Sequence, residues 1–277
     1  MSTLYKYIKH PNDVRYILQG QLKFTPIPEL NDPSELIPDM LREDFVASLK
    51  HMRDVGFSDE DMIYLAQQAA VLTRLAPDHM VIGMPSSKEQ ATATIRNIKI
   101  YENIDEMERR HCAATATIAS KVGLLCLTRR YDSLPMWAHY AEQAKGLVVE
   151  FCDLDQIFKG DKTGVLNQLA DVRYDREEYG VTYVPKTHDA IFLSKFKDWS
   201  YEDEVRIIRP FDECREKVVN GKVLHIHQVP KKHIKRVILG WHIKPNEASE
   251  IIDLVRSENT DVKVVRAQIH RGRVRIE

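Results

Sequence analysis

Gly123-Leu-Leu-Cys-Leu-Thr-Arg-Arg-Tyr-Asp-Ser-Leu-Pro-Met-Trp-Ala-His-Tyr-Ala-Glu-Gln-Ala-Lys-Gly-Leu-Val-Val-Glu-Phe151 is the stretch that decides the fold class. Leu124–Thr128 is a short apolar run of strand length. Asp132 or Ser133 can cap the helix that follows, Pro135 suits its first turn, and Gly146 suits its end. Leu147–Phe151 is again a short apolar run, read as a strand. One short helix lies between two strands.

Working outward, the carboxyl-terminal half repeats this mixture. Strands are expected at Val172–Tyr174, Val205–Ile208, Val223–Ile226, Arg236–Leu239, Val262–Val265 and Val274–Ile276, and helices near Thr187–Phe196 and Pro245–Ser257. Towards the amino end, Leu4–Ile8 and Leu22–Thr25 read as strands around a short helix, Asp13–Leu18, that Gly20 can close. Pro26, Pro28 and Asn31-Asp-Pro33 make a turn-rich loop. From about 39 to 122 the apolar spacing is helical almost throughout: Leu41, Phe45, Leu49 and Met52, then Ile95, Ile98, Tyr101, Ile104 and Met107. Ser58 and Asp61 have the spacing of a capping box. About three helices are expected there, inserted into one domain spanning 1–277. Strands and helices mix without steady βαβ alternation. That predicts an α+β fold with a mixed, mostly antiparallel sheet.

Composition narrows the function classes. Of 277 residues, 43% are hydrophobic and 29% charged, and 40 basic side chains against 41 acidic ones give a net charge of -1. No global field draws the chain to nucleic acid or to an anionic membrane. No apolar run reaches the ~20 residues that span a bilayer, and the amino end lacks a secretion-signal pattern. The four cysteines show no pairing or zinc spacing, so a reducing, cytoplasmic setting is expected. Neither a Gly-x-Gly-x-x-Gly nor a phosphate-cradling loop with Lys is present, which argues against Rossmann and P-loop sites. His225 and His227 share a strand face but have no further ligand at metal spacing, so no metal is expected.

Three segments carry candidate chemistry. In Met136-Trp-Ala-His-Tyr-Ala141, Met136 and Tyr140 share one helix face. Tyr140 and Trp137 offer stacking surfaces, and His139 a phosphate ligand or proton shuttle; the same aromatics also suit anchoring of the helix to the sheet. In Trp199-Ser-Tyr-Glu-Asp-Glu-Val-Arg206, strand alternation would put Glu202, Glu204 and Arg206 on one face. Two carboxylates there can divide acid–base or charge-stabilising work, with Arg206 keeping one ionised; an exposed salt-bridge ladder is the plainer alternative. At the amino end, Lys6 and Tyr7 lie on a strand, and Thr25, Asn31 and Asp32 on or beside the following loop.

Leu-Tyr-Lys-Tyr at 4–7, Phe24-Thr-Pro, Asn31-Asp-Pro-x-Glu35, Met136-Trp-x-His-Tyr-Ala, Lys145-Gly, Lys195-Phe-x-x-Trp, Tyr201-Glu-x-Glu-x-Arg and Ile238-Leu-Gly240 occur in this order. Together they resemble the bacterial domain-of-unknown-function family 2971, which implies no activity. Thr25 and Thr128 stand where that family suggests Ser, and Ala144 where it suggests His. The layout also resembles, more distantly, the ADP-ribosyltransferase fold. That resemblance implies NAD as co-substrate, with Lys6 at the early-strand position usually held by His or Arg, Tyr140 beside the nicotinamide, and Glu202 or Glu204 gripping a ribose hydroxyl. Tyr7, Thr25, Asn31, Asp32, Trp137, His139 and Arg206 would complete the binding surface. The acceptor would be protein, nucleic acid or water, and a toxin or a phage-defence role would suit such an enzyme. Two other readings stay open: a non-enzymatic module binding a nucleotide or a partner, and a metal-independent hydrolase or nuclease using His139 with Glu202 or Glu204.

Overall fold

Strand β1 (Thr3–Ile8) opens the chain, and α1 (Val14–Leu18) leads into β2 (Gln21–Pro26). The computed structural model describes residues 3–31, 42–80, 85–97, 100–161, 163–176, 190–258 and 261–277. The helical stretch contains α2 (Arg42–Val55), α3 (Asp59–Leu75), α4 (Lys88–Asn97) and α5 (Ile100–Ala119). The long run expected after Ser87 is helical over Lys88–Asn97 and Ile100–Ala119, with 98 and 99 outside the described residues. The Ser58 capping box is present in both directions: the Ser58 amide donates to Asp61 at 2.8 Å, and the Asp61 amide donates to Ser58 Oγ at 3.1 Å.

The mixed region begins with β3 (Val122–Thr128), α6 (Leu134–Tyr140) and β4 (Leu147–Cys152). The strand expected at Val172–Tyr174 divides into β5 (Ala170–Asp171) and β6 (Arg173–Arg176). In place of a helix ending at Phe196, the described residues form only α7 (Ala190–Leu193), followed by β7 (Ser194–Phe196). Next come β8 (Glu204–Pro210), an unforeseen edge strand β9 (Arg215–Val219), and β10 (Lys222–Gln228). The chain ends with β11 (Ile234–Leu239), α8 (Pro245–Glu258), β12 (Lys263–His270) and β13 (Arg273–Ile276). No described helix is long and apolar enough to cross a membrane.

Eleven strands form one sheet, in the order β13-β12-β11-β4-β1-β3-β2-β10-β9, with β8 and β5 joined through β3. Among the described strands of this sheet only β11–β12 pair in parallel; β6 and β7 form a separate parallel pair. The fold is therefore α+β with a mixed, mostly antiparallel sheet. On one face, Leu4, Ile8, Leu125, Leu127, Val205 and Ile207 pack with Ile17 and Leu18 of α1 and Ile251 and Val255 of α8. The opposite face has two clusters. Leu124 and Ile208 pack with Val71, Leu75 and Ile118 of the helical stretch, while Tyr5, Tyr7, Val148 and Ile238 pack around Trp137 of α6.

The pairing of β3 matters for function. One edge pairs with β8 along its whole length, from Val122↔Pro210 to Thr128↔Glu204. The other edge meets β1 at Tyr5↔Thr128 and β2 at Thr25↔Leu124 and Pro26↔Gly123. Between these points β1 and β2 diverge, and among the described residues Leu125–Leu127 have no strand partner on that edge. A backbone carbonyl exposed in such a gap needs a donor. Lys6 supplies it: Nζ donates to the Cys126 carbonyl at 3.2 Å.

Helix α6 stops at Tyr140, earlier than Gly146. Glu142, Gln143 and Ala144 are then left-handed, with φ of 48°, 55° and 63°, a costly conformation for residues with a Cβ. The turn is held by hydrogen bonds from the Ala144 amide to the Trp137 carbonyl (3.2 Å) and from the Gly146 amide to the Ala141 carbonyl (2.9 Å). Gly146 is required because β1 passes directly over it; a Cβ there would sit 2.1 Å from the Ile8 carbonyl oxygen.

Candidate functional site

A cavity of about 190 Å³ opens where β1 and β2 part. Its lining includes Lys6 and Tyr7 from β1, Thr25 from β2, Asn31 after it, and Tyr140 from α6; Glu202, Glu204 and Arg206 approach from the other side. These residues lie as far apart in sequence as Lys6 and Arg206, and the gap in β3 pairing is what brings them to one hollow. The volume is below the ~300–1,000 Å³ of pockets that enclose a whole drug-sized ligand, so it takes one ring-sized portion of a ligand.

Glu202 and Glu204 do not sit on one strand face as alternation suggested. Lys197–Glu202 is a 3-10 helix, Asp203 is left-handed at φ 44°, and β8 starts only at Glu204. The kink still brings both carboxylates to Lys195, whose Nζ lies 2.6 Å from Glu202 Oε2 and 3.3 Å from Glu204 Oε2. All three side chains are buried. Lys195 is also 4.9 Å from the Trp199 ring centroid.

The two carboxylates have different surroundings. Glu204 is gripped by Arg206 in a fork, Nε to Oε1 at 2.8 Å and Nη2 to Oε2 at 2.9 Å, while Arg206 Nη1 donates to the Phe192 carbonyl at 2.7 Å. The Glu204 amide donates to the Tyr174 hydroxyl at 2.8 Å. Burial pushes the Glu204 carboxyl up, but the charges of Arg206 and Lys195 more than offset it and hold the group at about 2. Glu202 accepts from the Tyr140 hydroxyl at 2.5 Å and from Lys195. Burial dominates there; with Glu204's negative charge, it raises the Glu202 carboxyl despite Lys195. Burial, then the Glu202 charge, raises the Tyr140 phenol. The Glu202 backbone is fixed as well, because its carbonyl accepts from the buried Thr128 hydroxyl.

Lys6 differs from the other lining cations. Every lining carboxylate already has a basic partner: Glu29 pairs with Lys23 at 2.9 Å, Glu202 with Lys195, and Glu204 with Arg206. Among the described residues, Lys6 has a neutral carbonyl as its partner and no carboxylate at ion-pair distance. Burial lowers its amine pKa.

Two expected site residues lie elsewhere. Trp137 does not line the cavity: it is fully buried, donates through Nε1 to the Tyr131 carbonyl at 2.7 Å, and packs against Tyr7 at 5.3 Å and Trp241 at 5.2 Å. It anchors α6, since the face next to Met136 and Tyr140 is turned into the core. His139 is exposed and stacks on Tyr201 at 6.3 Å, also outside the lining. Asp32 lies outside the described residues. Reading the sequence by segment missed Lys195 and Tyr174 as site residues; Lys195 had a visible signal, a cation alone within the apolar run Ala190-Ile-Phe-Leu-Ser-Lys-Phe196. No disulfide joins the cysteines, and among the described residues no three His, Cys, Asp or Glu side chains gather as a ligand set.

No curated protein and no solved structure matches the chain. A family model does match, over residues 136–207. That span runs from Met136 on α6 to Ile207 on β8 and holds Tyr140, Tyr174, Lys195, Glu202, Glu204 and Arg206, whereas Lys6, Thr25 and Asn31 lie before it. Over residues 136–207, the part that carries the buried ionic cluster, the chain matches the model of the family described as protein of unknown function (DUF2971).

Proposed function

We propose that the chain is an NAD-consuming enzyme of ADP-ribosyltransferase type, breaking the nicotinamide–ribose bond and passing the ADP-ribosyl group to protein, nucleic acid or water. The observation that carries this reading is Glu202: a buried carboxylate at a cavity wall, aimed by Tyr140 and charge-supported by Lys195. Departure of nicotinamide leaves an oxocarbenium-like sugar, and a carboxylate in a water-poor hollow stabilises that positive charge strongly. Lys195 opposes the upward pull of burial on Glu202 without cancelling it, and the Tyr140 hydroxyl orients the carboxylate. Glu204, locked by Arg206 and Tyr174, serves as the fixed counter-charge that holds Lys195. The cavity size suits one ring of the dinucleotide, the remainder lying outside it.

A second reading, a non-enzymatic module for a nucleotide or partner, is favoured by the self-satisfied Glu204–Arg206–Lys195 cluster, which keeps its shape without a ligand. The hydrolase or nuclease reading loses its proposed acid–base pair, because His139 is away from the cavity.

Nicotinamide release from NAD, followed by chromatography, tests the proposal. Wild type should release it, and Glu202→Gln should be slower by about a hundredfold or more, the scale of losing one preorganised electrostatic contact. No release by wild type on any acceptor would leave the binding reading in place of this one.

A further inference from the structure

We propose that Lys6 is an imine-forming amine, taking the aldehyde carbon of an open-chain sugar in the β1–β2 cavity. The placement is what carries this. Lys6 projects into the gap that the described residues leave along the β3 edge, fixed by the Cys126 carbonyl at 3.2 Å. Among the described residues, the lining carboxylates Glu29, Glu202 and Glu204 are engaged by Lys23, Lys195 or Arg206. Burial is the largest influence on the Lys6 ammonium and favours the neutral form, outweighing the opposing pull of the Glu204 charge. The positive charge of Lys23 also disfavours the ammonium. A neutral lysine amine in a partly desolvated pocket is a nucleophile towards carbonyl carbon. The hydrogen bond to Cys126 uses one N–H and leaves the lone pair available.

The chemistry balances without an oxidant. The Nζ lone pair adds to the aldehyde carbon, and the C=O π pair moves to oxygen. A proton passes from nitrogen to that oxygen, giving a carbinolamine. The hydroxyl then leaves with a second proton as water, and a C=N bond forms. Glu202, whose carboxyl is raised by burial, lies in the same lining and can supply and recover the proton. The class of carbonyl follows from the other walls. Tyr5, Tyr7 and Thr25 carry hydroxyls and Asn31 an amide, which suit a polyhydroxylated chain. Arg206 is sealed by Glu204, so no guanidinium is left to clamp the carboxylate of a 2-oxo acid.

The test uses the wild-type protein, D-ribose 5-phosphate and sodium cyanoborohydride, with adducts mapped by peptide mass spectrometry; pyruvate replaces the sugar in a parallel arm. Lys6 should be modified faster near pH 7 than exposed Lys222 and Lys232, because burial lowers its amine pKa and so raises its free-amine fraction. Its modification should saturate with sugar concentration while theirs rises linearly. Lys6→Arg should lose that adduct with an unchanged circular dichroism spectrum. Labelling of Lys6 no faster than of the exposed lysines overturns the proposal, and so does labelling by pyruvate alone. The assignment is independent of NAD consumption: nicotinamide release can persist when trapping fails, and trapping can succeed where no nicotinamide is released.

Discussion

Replacing Lys195 with Met removes one buried charge while keeping most of the aliphatic stem. Lys195 and Glu202 are 5% and 3% exposed at their side chains and 2.6 Å apart. Removing one member of such a buried pair typically costs ~3–5 kcal/mol, because the other charge is stranded. Glu204 is not stranded, since Arg206 still holds it in a fork. The cost therefore falls on Glu202, which can escape it by taking a proton. A carboxyl whose folded-state value is raised loses stability as pH climbs above its unfolded value, and the loss is complete above the folded one. Below ~4.3, the unfolded carboxyl's value, both states are protonated. There the variant should lose only a hydrogen bond, ~1 kcal/mol. Urea unfolding followed by tryptophan fluorescence should thus show a gap from wild type of ~3–5 kcal/mol at pH 8 that shrinks towards ~1 kcal/mol near pH 4. Adding Glu202→Gln should recover much of the loss at pH 8. A gap below ~1 kcal/mol at pH 8, or one independent of pH, would refute the buried pair.

Glu204 should show the opposite slope: its depressed carboxyl contributes stability above its unfolded value, and this is lost as pH falls towards about 2. In wild type that is worth about 3 kcal/mol between neutral pH and pH 2; Glu204→Gln should lack this acid slope and be less stable at pH 7, with Arg206 stranded, as urea midpoints across pH will show. Trp137→Ala should cost ~3–5 kcal/mol through the core cavity it leaves, whereas His139→Ala should fall within ~0.5 kcal/mol of wild type. Thermal melts of the two variants side by side check that contrast, and a larger loss at His139 would contradict its exposed position.

Much of the fold was legible because short apolar runs bounded by turn residues leave few choices: β3, β4, β8 and β11 lie where Leu124, Leu147, Val205 and Arg236 open such runs. The cavity was legible as a set of residues, since Lys6, Thr25, Asn31, Tyr140, Glu202, Glu204 and Arg206 all line it. Orientation was harder to read. Helical spacing separates Trp137 from Tyr140 but does not say which face turns inward; the packing of Tyr7 and Trp241 decides that. Strand alternation from Glu202 to Arg206 assumed an extended residue 203, and the left-handed Asp203 breaks that assumption. Strand β9, Arg-Glu-Lys-Val-Val, is a mostly exposed edge, so burial imposed no alternating pattern on it.

Asp203 has a consequence beyond register. Had residues 202–206 stayed extended, both carboxylates would have faced Arg206 and shared its charge. The turn lifts Glu202 off the strand and hands it to Tyr140 and Lys195, leaving the fork to Glu204 alone. The two carboxyls are pushed apart, Glu204 down and Glu202 up. Where paired carboxyls diverge in this way, the raised one is the proton exchanger of the pair and the depressed one remains a fixed charge. Both chemistries proposed for this cavity draw on that division, the first using Glu202 against a cationic sugar and the second using it as a proton carrier for Lys6. An Asp203→Gly variant relieves the strained φ and should keep the division; Asp203→Pro, whose φ is fixed near −65°, should collapse it. The readout is the pH dependence of urea stability: the opposing slopes of Glu202 and Glu204 should persist in the first variant and merge in the second.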